Sequence, residues 1–264
     1  MSVIRKMHSL CVTDLDKHIA DLTTGAIFFA MRSCEYSKTC TNEESKRTKV
    51  LRLLNIQFYR GDELIPHDSP FLDQADVVCI TFEDQKNAEK NEQVNNFQTG
   101  YPLMCPVRAW IRVVRRVRSY RNTSDDSKVN TFEHKGSLQE ITSFRIKTKL
   151  RAAAAVIGQS KLGFSPNDIG THSIRAGGVM AMYLNGIPSF TIQLIGRWES
   201  DAFLKYIRKQ VQSFSRGVSN RMILQENFFT TPDFHPGGTG ANKNKNGPRL
   251  ESVHGGFTMR IPSP

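Results

Sequence analysis

No apolar run in the 264 residues approaches the ~20 needed to cross a bilayer, and the densest cluster, AIFFAM near residue 26, is far shorter. No membrane partner is therefore expected. The opening MSVIRKMHSL lacks the long apolar stretch of a secretory signal. Cys11, Cys34, Cys40, Cys79 and Cys105 form no C-x-x-C pair and are odd in number. A disulfide framework and a structural zinc site are thus unexpected, and a reduced intracellular protein fits best. Clustered carboxylates of the kind that hold two metals for phosphoryl transfer do not stand out, so no metal and no cofactor is expected. Acidic residues are also in short supply. Asp and Glu number 25 against 36 Lys and Arg, a net charge of +11. Such a balance favours a polyanionic partner, most often nucleic acid.

What is present is enough to bury one good core: 39% of the residues are hydrophobic. Residues 14 to 36 read as helix, with Leu15, Ile19, Leu22, Ile27, Phe28 and Met31 on an apolar side and Gly25 as an interruption. Strand-like runs follow at Val50–Tyr59, closed by the turn Arg60-Gly61-Asp62, then at Leu64-Ile65 and Val77–Phe82. The polar stretch Glu83–Gln93 reads as a hairpin tip. Pro106 opens a helix in which Trp110, Val113, Val114 and Val117 make one face and Arg108, Arg112 and Arg115 the other. Ser137–Glu140 matches a capping box before a helix that runs to Ile157 and stops at Gly158. Further helices are expected near 172–185, 189–195, 200–211 and 213–226. From Thr231 onward Gly, Pro, Asn and Lys dominate, so residues 231–264 read as a disordered tail behind a domain of residues 1–230. No internal repeat is visible. Helix, small antiparallel sheet and then a helix cluster is an α+β order.

The most informative stretch is Thr171–Arg208, THSIRAGGVMAMYLNGIPSFTIQLIGRWESDAFLKYIR. It brings His172 and Arg175 into one turn and follows them with Tyr206. Cations beside a phenol suit nucleophilic attack on a phosphodiester, which needs donors for the phosphate oxygens and a nucleophile. In a chain this rich in arginine H-x-x-R alone is a weak motif. Followed by Gly196-Arg197-Trp198 and Tyr206 in order, it is specific. The segment resembles the catalytic C-terminus of tyrosine recombinases, the phage-integrase class, and is most similar to eukaryotic mobile-element versions ending in G-R-W-x-S-D-A-F-x-x-Y-I-R. The resemblance covers roughly residues 10 to 228. It implies a mostly helical catalytic domain with a small antiparallel sheet, of the DNA breaking and rejoining type.

The resemblance also implies roles. Tyr206 would be the nucleophile; ionising a phenol at pH 7 costs roughly 4 kcal/mol unaided, and neighbouring guanidiniums lower that. Tyr183, among Met180, Met182 and Leu184, is the rival and reads as core. Arg175 and Arg32 would clamp the phosphate, Arg32 within an R-x-x-E that sets Glu35 one turn away. The same pair also reads as a common surface ion pair. His172 would hydrogen-bond the phosphate and help move protons; standing alone it would read as a turn or capping histidine. Lys86 would protonate the leaving 5′-oxygen, with Lys90 as competitor. The family's last position, nine residues before the tyrosine, is Arg197 here and Trp198 lies one later, so which of the two faces the phosphate stays open.

Arg108, Arg112 and Arg115 make a stripe suited to the DNA backbone, or else a solvated helix face. Implied partners are double-stranded DNA and further copies of the chain, in the nucleus if the source is eukaryotic. Family members carry an N-terminal clamp domain for which this chain leaves no room, so it reads as a fragment or as an element that has lost or separated its clamp. A type IB topoisomerase resembles it less. A helix-turn-helix reading around Gly186 supports the alternative, a non-catalytic (decayed or domesticated) DNA-binding protein, but leaves His172, Arg175 and Tyr206 unused.

Overall fold

The computed structural model describes residues 1–39, 49–84, 90–198 and 203–204. Helix α1 (Ser2–Ser9) precedes α2 (Asp14–Phe28), which begins at a capping box. The Thr13 hydroxyl accepts the Asp16 N–H while the Asp16 carboxylate accepts the Thr13 N–H, so two otherwise unpaired donors are satisfied. Gly25 does not interrupt this helix as expected. It makes room for Trp110: a Cβ at residue 25 would lie 2.6–2.9 Å from three indole atoms. The chain breaks five residues later, where Ala30 adopts a left-handed φ of +43°. Helix α3 (Ser33–Tyr36) follows.

Strands β1 (Ile56–Arg60), β2 (Glu63–Ile65), β3 (Val77–Asp84) and β4 (Lys90–Phe97) form one antiparallel sheet in the order β2-β1-β3-β4. Gly61, at φ +56°, closes the β1–β2 turn at the expected place. The expected strand from Val50 is shorter, because Leu53–Asn55 is a 3-10 turn. The hairpin tip is shorter than Glu83–Gln93 as well, since β4 already pairs from Lys90. The alternate residues Ile56, Phe58, Ile80, Phe82 and Val94 are buried, as one apolar face of a sheet requires.

Helix α4 (Pro106–Arg118) lays Trp110, Val113, Val114 and Val117 on α2, as its periodicity predicts. The Ser137–Glu140 expectation is corrected. That segment is strand β6, paired with β5 (Thr131–His134) through a turn at Lys135-Gly136, both at positive φ. The actual cap of α5 (Ser143–Ile157) is Thr142, whose hydroxyl accepts the Arg145 N–H. A four-residue motif carries no information on pairing with a strand six positions back, and the ladder wins. Gly158, at φ +91°, ends α5 as expected. Helices α6 (Gln159–Leu162), α7 (His172–Leu184) and α8 (Ser189–Gly196) complete the described chain.

Mixed helix and sheet with a small antiparallel sheet is compatible with the α+β expectation. None of the helices among the described residues is long and apolar enough to cross a membrane. The main core lies between α1, α2, α4, α5 and the four-stranded sheet; a second cluster joins Ala30, Val179, Ile192 and Phe203. The break after α2 therefore sits between two packed bodies, which is what positions the site.

Candidate functional site

Glu35 organises the turn that follows α2. Its Oε2 accepts the Arg32 backbone N–H at 2.7 Å, and its Oε1 accepts from Arg32 Nη1 at 3.1 Å. Arg197 Nη2 also donates to Oε2, at 2.8 Å. One carboxylate thus faces two guanidiniums, and Glu92 adds a further negative charge near Arg197. The Glu35 and Arg197 side chains are 1% and 0% exposed, while Arg32 retains 19%.

Arg197 ends α8 in the left-handed region (φ +56°), so its side chain turns inward instead of following the helix. There Nη1 donates to the carbonyls of Phe29 and Ile195 at 3.2 and 3.3 Å, and the guanidinium lies 3.5 Å over the Phe82 ring. Burial pulls its pKa down, and the Glu35 carboxylate opposes that shift. Trp198 folds back on Gly196, where a Cβ would run into the indole, and packs on Phe203 with ring centroids 5.9 Å apart.

Arg175 reaches the same place from α7. Its Nη1 donates to the Ala30 carbonyl and its Nη2 to the Gly196 carbonyl at 2.6 Å; the guanidinium stacks 3.9 Å over Trp198. This approach depends on Gly178, since a Cβ there would fall on the Ile27 carbonyl oxygen of α2. The sequence reading passed over Gly178; its signal was a Gly-Gly pair inside a helical pattern, where glycine otherwise costs about 1 kcal/mol. His172, one turn earlier, is exposed at the start of α7. Tyr183 is half-buried against the second cluster.

Arg32, Arg175, Arg197 and Trp198 are therefore brought together, with His172 on the helix that carries Arg175. Tyr206 and Lys86 lie outside the described residues, as do the helix expected at 213–226, the tail from Thr231 and all of the helix expected at 200–211 except Phe203 and Leu204; of Lys90 only the backbone is described, pairing with Asp84 in β4. Arg108, Arg112 and Arg115 stand elsewhere, on α4, and are held by acids. Arg108 and Arg115 share Asp73 at 3.4 and 2.7 Å, while Arg112 pairs with buried Asp21 at 2.7 Å. Arg116, which the sequence reading left out, also reaches Asp21, at 3.2 Å.

No family model matches the chain, and no curated protein matches it either.

Chemically, the arginine cluster is a cationic centre with no acidic metal nest: no group of three His, Cys, Asp or Glu residues able to hold an ion occurs among the described residues. It can attract and orient an anion. Arg32, the most exposed of its three guanidiniums, is the group best placed to touch one.

Proposed function

We propose that this chain cleaves and rejoins DNA strands as a tyrosine recombinase does. In this reading the Tyr206 hydroxyl gives its proton to His172 or solvent as its oxygen attacks a backbone phosphorus. A 3′-phosphotyrosyl bond forms, the bond to the 5′-oxygen breaks, and that oxygen leaves as a 5′-hydroxyl after taking a proton from Lys86 or Lys90. Because the phosphodiester's energy stays in the covalent link, rejoining needs neither ATP nor a metal. Arg32 and His172 would touch the phosphate. Arg175, Arg197 and Trp198 would set the position of Arg32 and of the segment leading to Tyr206.

One observation carries the reading. Arg175 bonds the chain at Ala30, 145 positions away, beside the turn where Glu35 joins Arg32 to Arg197. Arg32, Arg175 and Arg197, three of the residues expected around one phosphate, thus meet at one turn, and Phe203, three positions before Tyr206, packs in one cluster with Ala30. Integration or excision of a mobile element, on double-stranded DNA and with several copies of the chain, is the setting that fits.

The test is a nicked duplex that traps the covalent adduct. Wild-type protein is expected to give a DNA-linked band on a denaturing gel, and Tyr206→Phe none. A specific observation favours a second reading, a DNA-binding protein that no longer cuts: Arg175 and Arg197 spend donors on backbone carbonyls and on Glu35. Salt-sensitive DNA binding with no adduct from the wild type would decide for it.

A further inference from the structure

A second cationic feature lies at the opposite end of α2 from the arginine cluster. Asp14, at the start of that helix, borders an open cavity of about 600 Å³ formed mainly by the second half of α4 and the β5–β6 turn. The 15 residues of α2 separate it from the Ala30 turn by roughly 20 Å, so it is a different place.

Arg112, Arg115, Arg116 and Lys135 line this cavity together with the hydroxyl-bearing Ser119 and Tyr120. Cations outnumber their partners. Arg112 and Arg116 share the single carboxylate of Asp21, and Arg115 shares Asp73 with Arg108. Each set therefore carries one uncompensated positive charge, and the Lys135 ammonium stands on the rim. Of the acids at the cavity, Asp14 is already paired with Lys17 and Glu133 is exposed. Arg116 is the decisive residue. Its side chain is only 16% exposed, and its Nη1 is buried with no hydrogen-bond partner among the described residues. A buried guanidinium N–H without an acceptor is costly, and an oxyanion would complete it.

We propose that this cavity binds a phosphoryl anion, with Arg116 and Lys135 as its main donors. A phosphoryl group carries nearly two negative charges at neutral pH and several acceptor oxygens, which matches the one uncompensated charge of each arginine set, with Lys135 offsetting Glu133 at the same cavity. The volume admits a pyrophosphate or a larger phosphorylated molecule, and the same groups would accept a phosphate of a DNA backbone.

The test titrates the full chain with inorganic pyrophosphate at low salt by calorimetry. Saturable binding is expected, weakened about tenfold or more by Arg116→Met, the loss of a hydrogen bond to a charged group. Lys135→Glu, at an exposed turn, should weaken it comparably without touching the core. If Arg116→Met fails to fold, Lys135→Glu alone decides. Absence of saturable binding in the wild type, or equal affinity in every folded variant, overturns the proposal. A duplex-DNA arm separates the sources. Displacement of pyrophosphate by DNA, with both variants weakening DNA, assigns the phosphoryl group to a nucleic-acid backbone; unchanged DNA binding assigns it to a small anion. Neither arm depends on Tyr206, so loss of the strand-cleavage reading would leave this result standing.

Discussion

Replacing Glu35 with glutamine should be among the most damaging single changes outside the apolar core. The side chain keeps its shape but loses the charge that faces both Arg32 and Arg197. Arg197 cannot turn to water, because its side chain is 0% exposed and packed over Phe82. Stranding such a charge costs about 3–5 kcal/mol. Each kcal/mol moves the midpoint by roughly 2–4 °C for a chain of this size, so melting should fall by ~6–20 °C. Thermal and urea unfolding at neutral pH measure it. The double variant Glu35→Gln/Arg197→Met removes the stranded charge along with its partner and should regain most of the loss, since an apolar replacement of a buried ion pair is often neutral or stabilising. A single variant within about 0.5 kcal/mol of wild type, the range of ordinary surface changes, would refute the reasoning. So would a double variant no more stable than the single.

Gly178→Ala should cost about 1–3 kcal/mol and loosen the Arg175–Ala30 contact, because the new methyl meets the rigid Ile27 carbonyl. Gly177→Ala, whose nearest neighbour is a side-chain methyl at 3.7 Å, should be tolerated; equal urea midpoints for the two would sink the close-approach argument. Gly25→Ala should also destabilise, since overpacking against Trp110 by about 1–3 kcal/mol exceeds the ~1 kcal/mol gained in helix propensity, and near-ultraviolet circular dichroism should report the displaced indole. Acid should act through His18. Burial first, and then the Arg116 charge, take its pKa from 6.5 to about 3, against the bond to the Val129 carbonyl. The folded state therefore holds His18 neutral; its contribution is complete above pH 6.5 and is lost as pH falls toward 3. His18→Gln should flatten the decline of urea midpoints across that window, and an unchanged slope would assign the acid sensitivity to other groups.

The amino-acid sequence alone determined what depends on neighbours a few positions apart. The apolar face of α4, the Gly61 turn and the stop at Gly158 follow from helical period and from glycine's freedom at positive φ, and all three were legible. Tertiary structure decided whatever depends on a partner far along the chain. Gly25 reads as a helix break until Trp110 occupies the space above it, and Ser137–Glu140 reads as a cap until β5 pairs with it. Arg108, Arg112 and Arg115 read as one stripe, but Asp73 and Asp21 divide them into two ion-paired sets. Arg197 and Arg175 could be named from motif order, yet their burial on backbone carbonyls could not, because a guanidinium's partners are chosen by packing in three dimensions. Local patterns set which elements form; desolvation and long-range contacts set which charges remain available to a ligand.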